Sequence, residues 1–157
     1  MFYIGIDPGK SGAIAIIDGS TGVIQTSVFG EIAYRGMLEQ VDAAHSVCCL
    51  EHVGARPGQG VTSMFNFGEN FGFIRGLLLA FGIPYQTVTP SKWKREFSVN
   101  KDKGSSITAC QRLFPRVSLL ANERCRVPHD GIAEALLLAE YARRKFGGID
   151  DETRFPF

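Results

Sequence analysis

The hydrophobic positions fall into short runs closed by turn formers. Phe2-Tyr3-Ile4-Gly5-Ile6 is an apolar run that ends in Asp7, and Pro8-Gly9 leads through Lys10-Ser11-Gly12 into a second run, residues 13–17. β-Branched and aromatic residues bounded this way predict strand, tight turn, strand. Residues 23–29 alternate in part and predict a third strand, which completes an antiparallel meander. Ile32, Met37, Leu38 and Val41 mark a weakly amphipathic helix within 30–44. The run SVCCLEHV, residues 46–53, is a fourth strand interrupted by Glu51, and a Gly/Pro-rich loop follows at 54–60.

Residues 62–81 are strongly apolar and predict a long helix. Its glycines at 68, 72 and 76 recur every four residues, so one face lacks side chains and permits close approach of the sheet or of another helix. Gly82-Ile83-Pro84 stops that helix, and residues 85–88 give a fifth strand. Thr89-Pro90 places Pro at a first helical position, which predicts a short basic helix to Phe97. A helix over 105–114, an irregular stretch over 115–127 and a last helix over 129–146 complete the chain. A meander followed by strands separated by helices implies an α/β fold. Its expected core is a five-stranded mixed sheet, the meander plus two parallel strands, flanked by helices. Strands one and four are apolar throughout and are expected as parallel neighbours, which sets Asp7 and Glu51 side by side at one carboxyl edge.

Composition adds bounds. A chain of 157 residues, 45% apolar and 21% charged, suits one folded domain with a real core. The expected division is a domain over 1–147 and an acidic tail over 148–157. Net charge is only +1, yet residues 82–126 hold nine Lys/Arg and three acids, a local charge of +6 that leaves −5 elsewhere. Such segregation is the mark of a basic face; a solvated helix surface accounts for some of it. Cys48, Cys49, Cys110 and Cys125 show no C-x-x-C pairing, and Cys48 and Cys49 should point to opposite faces as small hydrophobes. No membrane span and a reducing, cytoplasmic setting are expected.

The carboxylates carry the candidate chemistry. Asp7 closes a core-like strand, where a carboxylate either accepts hydrogen bonds from the turn or binds a metal. Glu51 repeats that placement. Asp130 and Glu134 lie four apart on the last helix among Ile132, Ala133, Ala135 and Leu136, so they share one face of a mostly buried element. Capping by Asp130 and solvation of Glu134 is the plainer account of that pair. Taken with Asp7 and Glu51, four carboxylates converging on Mg²⁺ is the more economical one. Oxygen donors without a Cys/His cluster point to Mg²⁺ or Mn²⁺ rather than zinc. Two such ions activate a water and stabilise a leaving oxygen in phosphodiester cleavage, and the basic segment suits a polyanion. The residues thus point to metal-dependent nucleic-acid hydrolysis.

Three motifs in order, GIDPG, the acid of LEHV, and HDGIAEALLLAEYA, resemble those of RuvC-type Holliday junction resolvases over nearly the whole chain. The resemblance implies an RNase H-like fold and a homodimer. It implies a magnesium-dependent endonuclease that cuts four-way and related branched DNA with two ions per site, leaving 5′-phosphate and 3′-hydroxyl ends. It also implies that Asp7, Glu51 and the acids of the last helix are the metal ligands. The pattern departs there, because the family has Asp-x-x-Asp whereas Asp130 and Glu134 are one residue further apart. One residue turns a helix by about 100°, so which of the two lies closer to the metal stays open. His129 is either a proton carrier or outer ligand, or a helix-start residue with a structural role.

Lys92, Lys94 and Lys103 occupy ground comparable to the family's phosphate-binding lysines, and Arg95 and Lys101 are expected to bind DNA as well. A loop entering the junction centre would be 54–62, with Arg56 on phosphate and Met64 or Phe65 as wedges, although a core role for Phe65 weighs more. Dimerisation would use the glycine-spaced helix, against packing on the sheet. The short length and Lys-Ser-Gly turn are more similar to phage-encoded members, which act in the bacterial host cytoplasm. A sugar-kinase or actin-type ATPase needs two domains, which 157 residues cannot hold. An RNase H-like nuclease acting on RNA, or a branched-DNA-binding module that does not cut, are the alternatives. The acidic Phe-Pro-Phe end is similar to partner-recruiting tails of single-stranded-DNA-binding proteins; a tail with no partner is the plainer reading.

Overall fold

The computed structural model describes residues 1–9, 11–52, 54 and 58–148, and of Lys103 only the backbone. The expected loop cation Arg56, the side chain of Lys103 and the tail from 149 onward lie outside the described residues. The elements in chain order are β1 (Phe2–Asp7), β2 (Ala13–Asp18), β3 (Ile24–Val28), α1 (Glu31–Glu39), a 3₁₀ turn (Ala43–His45), β4 (Ser46–Glu51), α2 (Val61–Ala80), β5 (Tyr85–Val88), α3 (Pro90–Glu96), α4 (Lys103–Leu113) and α5 (Asp130–Phe146). The helix expected over 30–44 stops at Glu39, and Asp42 instead caps the 3₁₀ turn by accepting from the Ala44 N–H. Similarly, α4 starts at Lys103 because the Asp102 carboxylate accepts from the Gly104 N–H.

The sheet order is β3-β2-β1-β4-β5. β1 pairs antiparallel with β2 and β2 with β3, whereas β1–β4 and β4–β5 are parallel. This is the expected mixed sheet, with β1 at its centre. Side-chain alternation divides the core in two. Tyr3, Ala13, Ala15, Ile17, Val47 and Cys49 face α5, with Trp93 and Phe97 of the α3 segment. Ile4, Ile6, Ile14, Ile16, Cys48 and Leu50 face the opposite way, toward Tyr34 and Leu38 of α1 and Ile74 and Leu78 of α2. Cys48 and Cys49 therefore do fall on opposite faces, both as buried free thiols.

Two glycines fix where α5 lies. A Cβ on Gly5 would come within 2.1 Å of the Ala135 carbonyl oxygen and 2.2 Å of the Ala139 nitrogen, so the helix backbone rests directly on β1. A Cβ on Gly131 would meet the Ser11 carbonyl oxygen at 2.2 Å, so the start of α5 is held against the β1–β2 turn.

The glycine face of α2 behaves otherwise. Among the described residues, a Cβ at Gly68, Gly72 or Gly76 would meet no atom within 4 Å, so neither the sheet nor another of the described helices approaches that face. Only Ile74 and Leu78 of α2 are fully buried, and every residue of its first half is exposed or half-buried. The core role expected for Phe65 is thereby corrected: it is 70% exposed. No helix among the described residues is long and apolar enough to cross a membrane.

Candidate active site

Parallel pairing places Ile6 opposite Leu50, so the next residues, Asp7 and Glu51, sit at the same carboxyl edge on adjacent strands. From the other side, the Gly5 and Gly131 contacts hold the first turn of α5 over that edge. Asp130 opens the helix, and Glu134 follows one turn later on the same face. All four sequence-derived acids thus belong to one neighbourhood, as their electrostatic influence on one another shows.

Asp7 accepts a hydrogen bond from the Gly9 N–H at 3.3 Å, the local turn contact that its position before Pro8-Gly9 suggested. That bond does not offset its surroundings. Burial pushes the carboxyl up to about 6, and the negative charges of Glu134 and Asp130 add to the rise. Glu51 is only 6% exposed, and its carboxyl is pushed up to about 7, first by burial and then by Asp7. Its Oε1 accepts from the indole Nε1–H of Trp93 at 2.9 Å, which lowers it in part. Glu134 is better compensated: its Oε1 accepts from Lys94 Nζ at 2.8 Å and from Ser106 Oγ at 3.0 Å. The Asp130 Oδ1 accepts from the Gly131 N–H at 3.1 Å.

His129 is the N-cap of α5, and its Nδ1 accepts from the Ile132 N–H at 3.3 Å. The helix-start role is therefore present. It commits Nδ1 as an acceptor and leaves Nε2 as the ring nitrogen available for any proton transfer.

Two partners of the acids carry no advance mark as site residues. Trp93 is the single tryptophan and lies inside the basic segment, which is the one signal that could have singled it out. Ser106 has no such signal, because only the packing of α4 beside α5 brings it to Glu134.

Glu51 opens onto a cleft of about 960 Å³ walled by Ser91, Lys94, Arg95, Asn100 and Lys101. Three of the expected phosphate-binding cations are therefore gathered beside the acids. Lys92 is not among them, since it lines a separate cavity on the other flank of α3. Helical geometry separates it from Lys94 by two residues and so by about 200°, just over half a turn. The wedge candidates Met64 and Phe65 lie in the first turn and a half of α2. Met64 borders, with Gln59 and Phe67, a cavity of about 240 Å³.

The oxygens of Asp7, Glu51, Asp130 and Glu134 are the groups that could hold a divalent cation. Among the described residues, no three of His, Cys, Asp or Glu stand close enough to clasp one ion as they lie. Glu134 is turned to Lys94, and Glu51 to Trp93. The donor chemistry nevertheless fits a hard cation: every donor is oxygen, and the carboxyls of Asp7 and Glu51 are raised first by burial and then by neighbouring acids, charge that a bound cation would offset.

No family model matches the chain, and no curated protein matches it. Solved structures do. The structure of Thermus thermophilus RuvC aligns with a TM-score of 0.55 at 15% identity, covering 94% of this chain and 97% of that one. T. thermophilus RuvC in complex with a Holliday junction substrate aligns with a TM-score of 0.61 at 13% identity, covering 94% and 96%. At such identities the likeness establishes architecture, and this chain has the RNase H-like fold of RuvC, from the meander through α5.

Proposed function

We propose that the chain is a divalent-metal-dependent, structure-selective endonuclease that cleaves four-way and related branched DNA, leaving 5′-phosphate and 3′-hydroxyl ends. One observation carries the reading: two strand-end acids and two acids of α5 meet at one sheet edge, and one of them, Glu51, lines a cleft together with Lys94, Arg95 and Lys101. The fold neighbour in complex with a Holliday junction substrate supports branched DNA as the ligand class.

In this reading Asp7, Glu51, Asp130 and Glu134 hold Mg²⁺ or Mn²⁺, two ions per site. When bound, the ions supply activation of the attacking water and stabilisation of the leaving oxygen. The chain's own residues do the rest. The Trp93 indole fixes the rotamer of Glu51 from within the core. Lys94 balances Glu134 and stands at the cleft wall, where it also meets phosphate charge. Arg95 and Lys101 hold the backbone of the substrate further along the wall. The Pro8-Gly9 turn carries the chain away from the acids.

A second copy completes the assembly in this reading. Val61, Phe65 and Leu79 are exposed apolar side chains on α2, and the glycine face of the same helix is open. A twofold pair of α2 helices would bury both.

The test offers purified protein with Mg²⁺ or Mn²⁺ a mobile four-way junction, a Y-fork and an RNA–DNA hybrid in parallel. Symmetrically paired nicks in the junction are expected. Preferential cleavage of the hybrid would replace this reading with an RNA-directed nuclease. Tight junction binding without cutting by the unmodified protein would replace it with a binding module.

A further inference from the structure

The seven residues of α3 form a ridge with different chemistry on its flanks. Trp93 is buried in the core beneath it, together with Phe97 just past its end, and Ser91 and Lys94 line the catalytic cleft. On the far flank, Lys92 and Glu96 line a second cavity of about 350 Å³, closed by Gln86 of β5 and by Tyr141 and Lys145 of α5. Arg95 lines both spaces.

This second cavity is cationic and partly preorganised. Lys92, Arg95 and Lys145 face a single carboxylate, Glu96. Lys145 is held in place: its Nζ donates to Glu96 Oε2 at 2.9 Å and lies 5.4 Å from the centre of the Tyr141 ring. Arg144 also reaches Glu96, at 3.6 Å. Lys92 and Arg95 have no ion-pair partner among the described residues. Two lining cations therefore remain for an anionic ligand, and the Gln86 amide adds neutral hydrogen-bonding capacity.

We propose that this cavity is a second phosphate subsite, which takes the nucleic-acid backbone as it leaves the catalytic cleft across the α3 ridge. The proposal rests on the nuclease reading above and extends its footprint from the cleft to the C-terminal end of α5. Arg95 is the argument for a shared polyanion: one side chain borders both spaces, so a continuous chain of phosphates in the cleft is led to the far flank. An acidic peptide is the competing occupant, since Asp150, Asp151 and Glu152 follow α5 in the sequence.

The experiment measures binding of a labelled four-way junction and of a plain duplex against salt. It compares the unmodified protein with the paired variant Lys92→Gln, Lys145→Gln and with the cleft variant Lys94→Ala. Glu96 keeps Arg144 in the paired variant, so folding is expected to persist, and a thermal melt checks it. Each lost phosphate contact removes about 0.9 from the slope of log affinity against log salt. Lys145 is already paired with Glu96, so the paired variant should lose about 0.9 from that slope, the contact of Lys92, and bind roughly eightfold more weakly at 0.1 M salt.

An unchanged slope in the paired variant, with a reduced slope in Lys94→Ala, overturns the subsite and leaves the nuclease reading standing. No binding of either DNA by the unmodified protein overturns both. Neutralising Asp150, Asp151 and Glu152 together gives the last outcome. If this lowers the melting temperature of the unmodified protein but not of the paired variant, while the salt slope of both stays the same, the cavity belongs to the tail and the phosphate assignment falls.

Discussion

Single residues decide the chemistry of this site, and the strongest local statement concerns Asp7 and Glu51. Unfolded, both carboxyls titrate near pH 4; folded and metal-free, they are pushed up to about 6 and about 7. Below about pH 4 both states hold both protons and nothing is lost. As pH rises, the folded state keeps protons that the unfolded state has released, so stability falls with pH. In EDTA the melting temperature is therefore expected to drop between about pH 4 and about pH 7, and Asp7→Asn should flatten the drop. Calorimetry across that range checks it, and added Mg²⁺ should recover the loss at the alkaline end. Asp7→Asn and Glu51→Gln should each abolish cleavage in the nicking assay while junction affinity stays within severalfold of the unmodified protein. Full cutting by either variant would remove that acid from the site.

Tyr34 presents a different case at the same scale. Its ring is buried edge-on against Phe29, and its hydroxyl has no hydrogen-bond partner among the described residues. A buried, unpaired hydroxyl costs about 1–3 kcal/mol. Tyr34→Phe should therefore leave stability unchanged or raise it by about 1 kcal/mol, as read by urea unfolding.

At the scale of elements, two kinds of glycine separate cleanly. Gly5→Ala would drive a methyl into the α5 backbone, which cannot yield as a side-chain end can. A loss of about 3 kcal/mol or more is expected, with cleavage impaired through displacement of Asp130 and Glu134. Gly72→Ala meets open space and gains about 1 kcal/mol of helix propensity. In the dimer reading the same methyl obstructs helix approach, so the variant should melt higher as a monomer yet associate more weakly in sedimentation. Stronger association would rule the glycine face out of the interface.

The periodicity of the apolar runs made the strands and their order legible, because alternation about Ile4, Ile6, Cys48 and Leu50 has one physical solution in a two-faced sheet. The ends of α1 and α4 were less so, since Asp42 and Asp102 act as caps through side-chain geometry that spacing alone does not announce. The glycine repeat of α2 marked a bare face correctly but not what lies against it.

Over the whole molecule, the acids were legible as a set because each breaks an apolar pattern, and strand order then brings them together. Their compensation was not. Lys94, Ser106 and Trp93 reach the acids across separations of 28 to 42 residues, set by how α3, α4 and α5 pack. Charge segregation foretold a basic face, whereas the structure divides it into two flanks with Arg95 at the crest. Whole-molecule behaviour should follow that division. Lys94→Ala frees Glu134 from its cation, so it should alter the metal dependence of cleavage as well as the salt dependence of binding. The Lys92→Gln, Lys145→Gln pair should alter binding alone. A metal titration of nicking rate on both variants checks the separation.

The bond between Trp93 and Glu51 has an optical consequence. The chain holds one tryptophan, fully buried, and its indole nitrogen donates to a carboxylate of the site itself. Its emission is therefore a label-free reporter with no background from any other indole. Protonation of Glu51, or capture of that carboxylate by a cation, changes the charge beside the excited ring and should shift its intensity or wavelength. The protein thus carries its own probe, through which occupancy of the acid cluster can be followed in real time before any phosphodiester bond is broken.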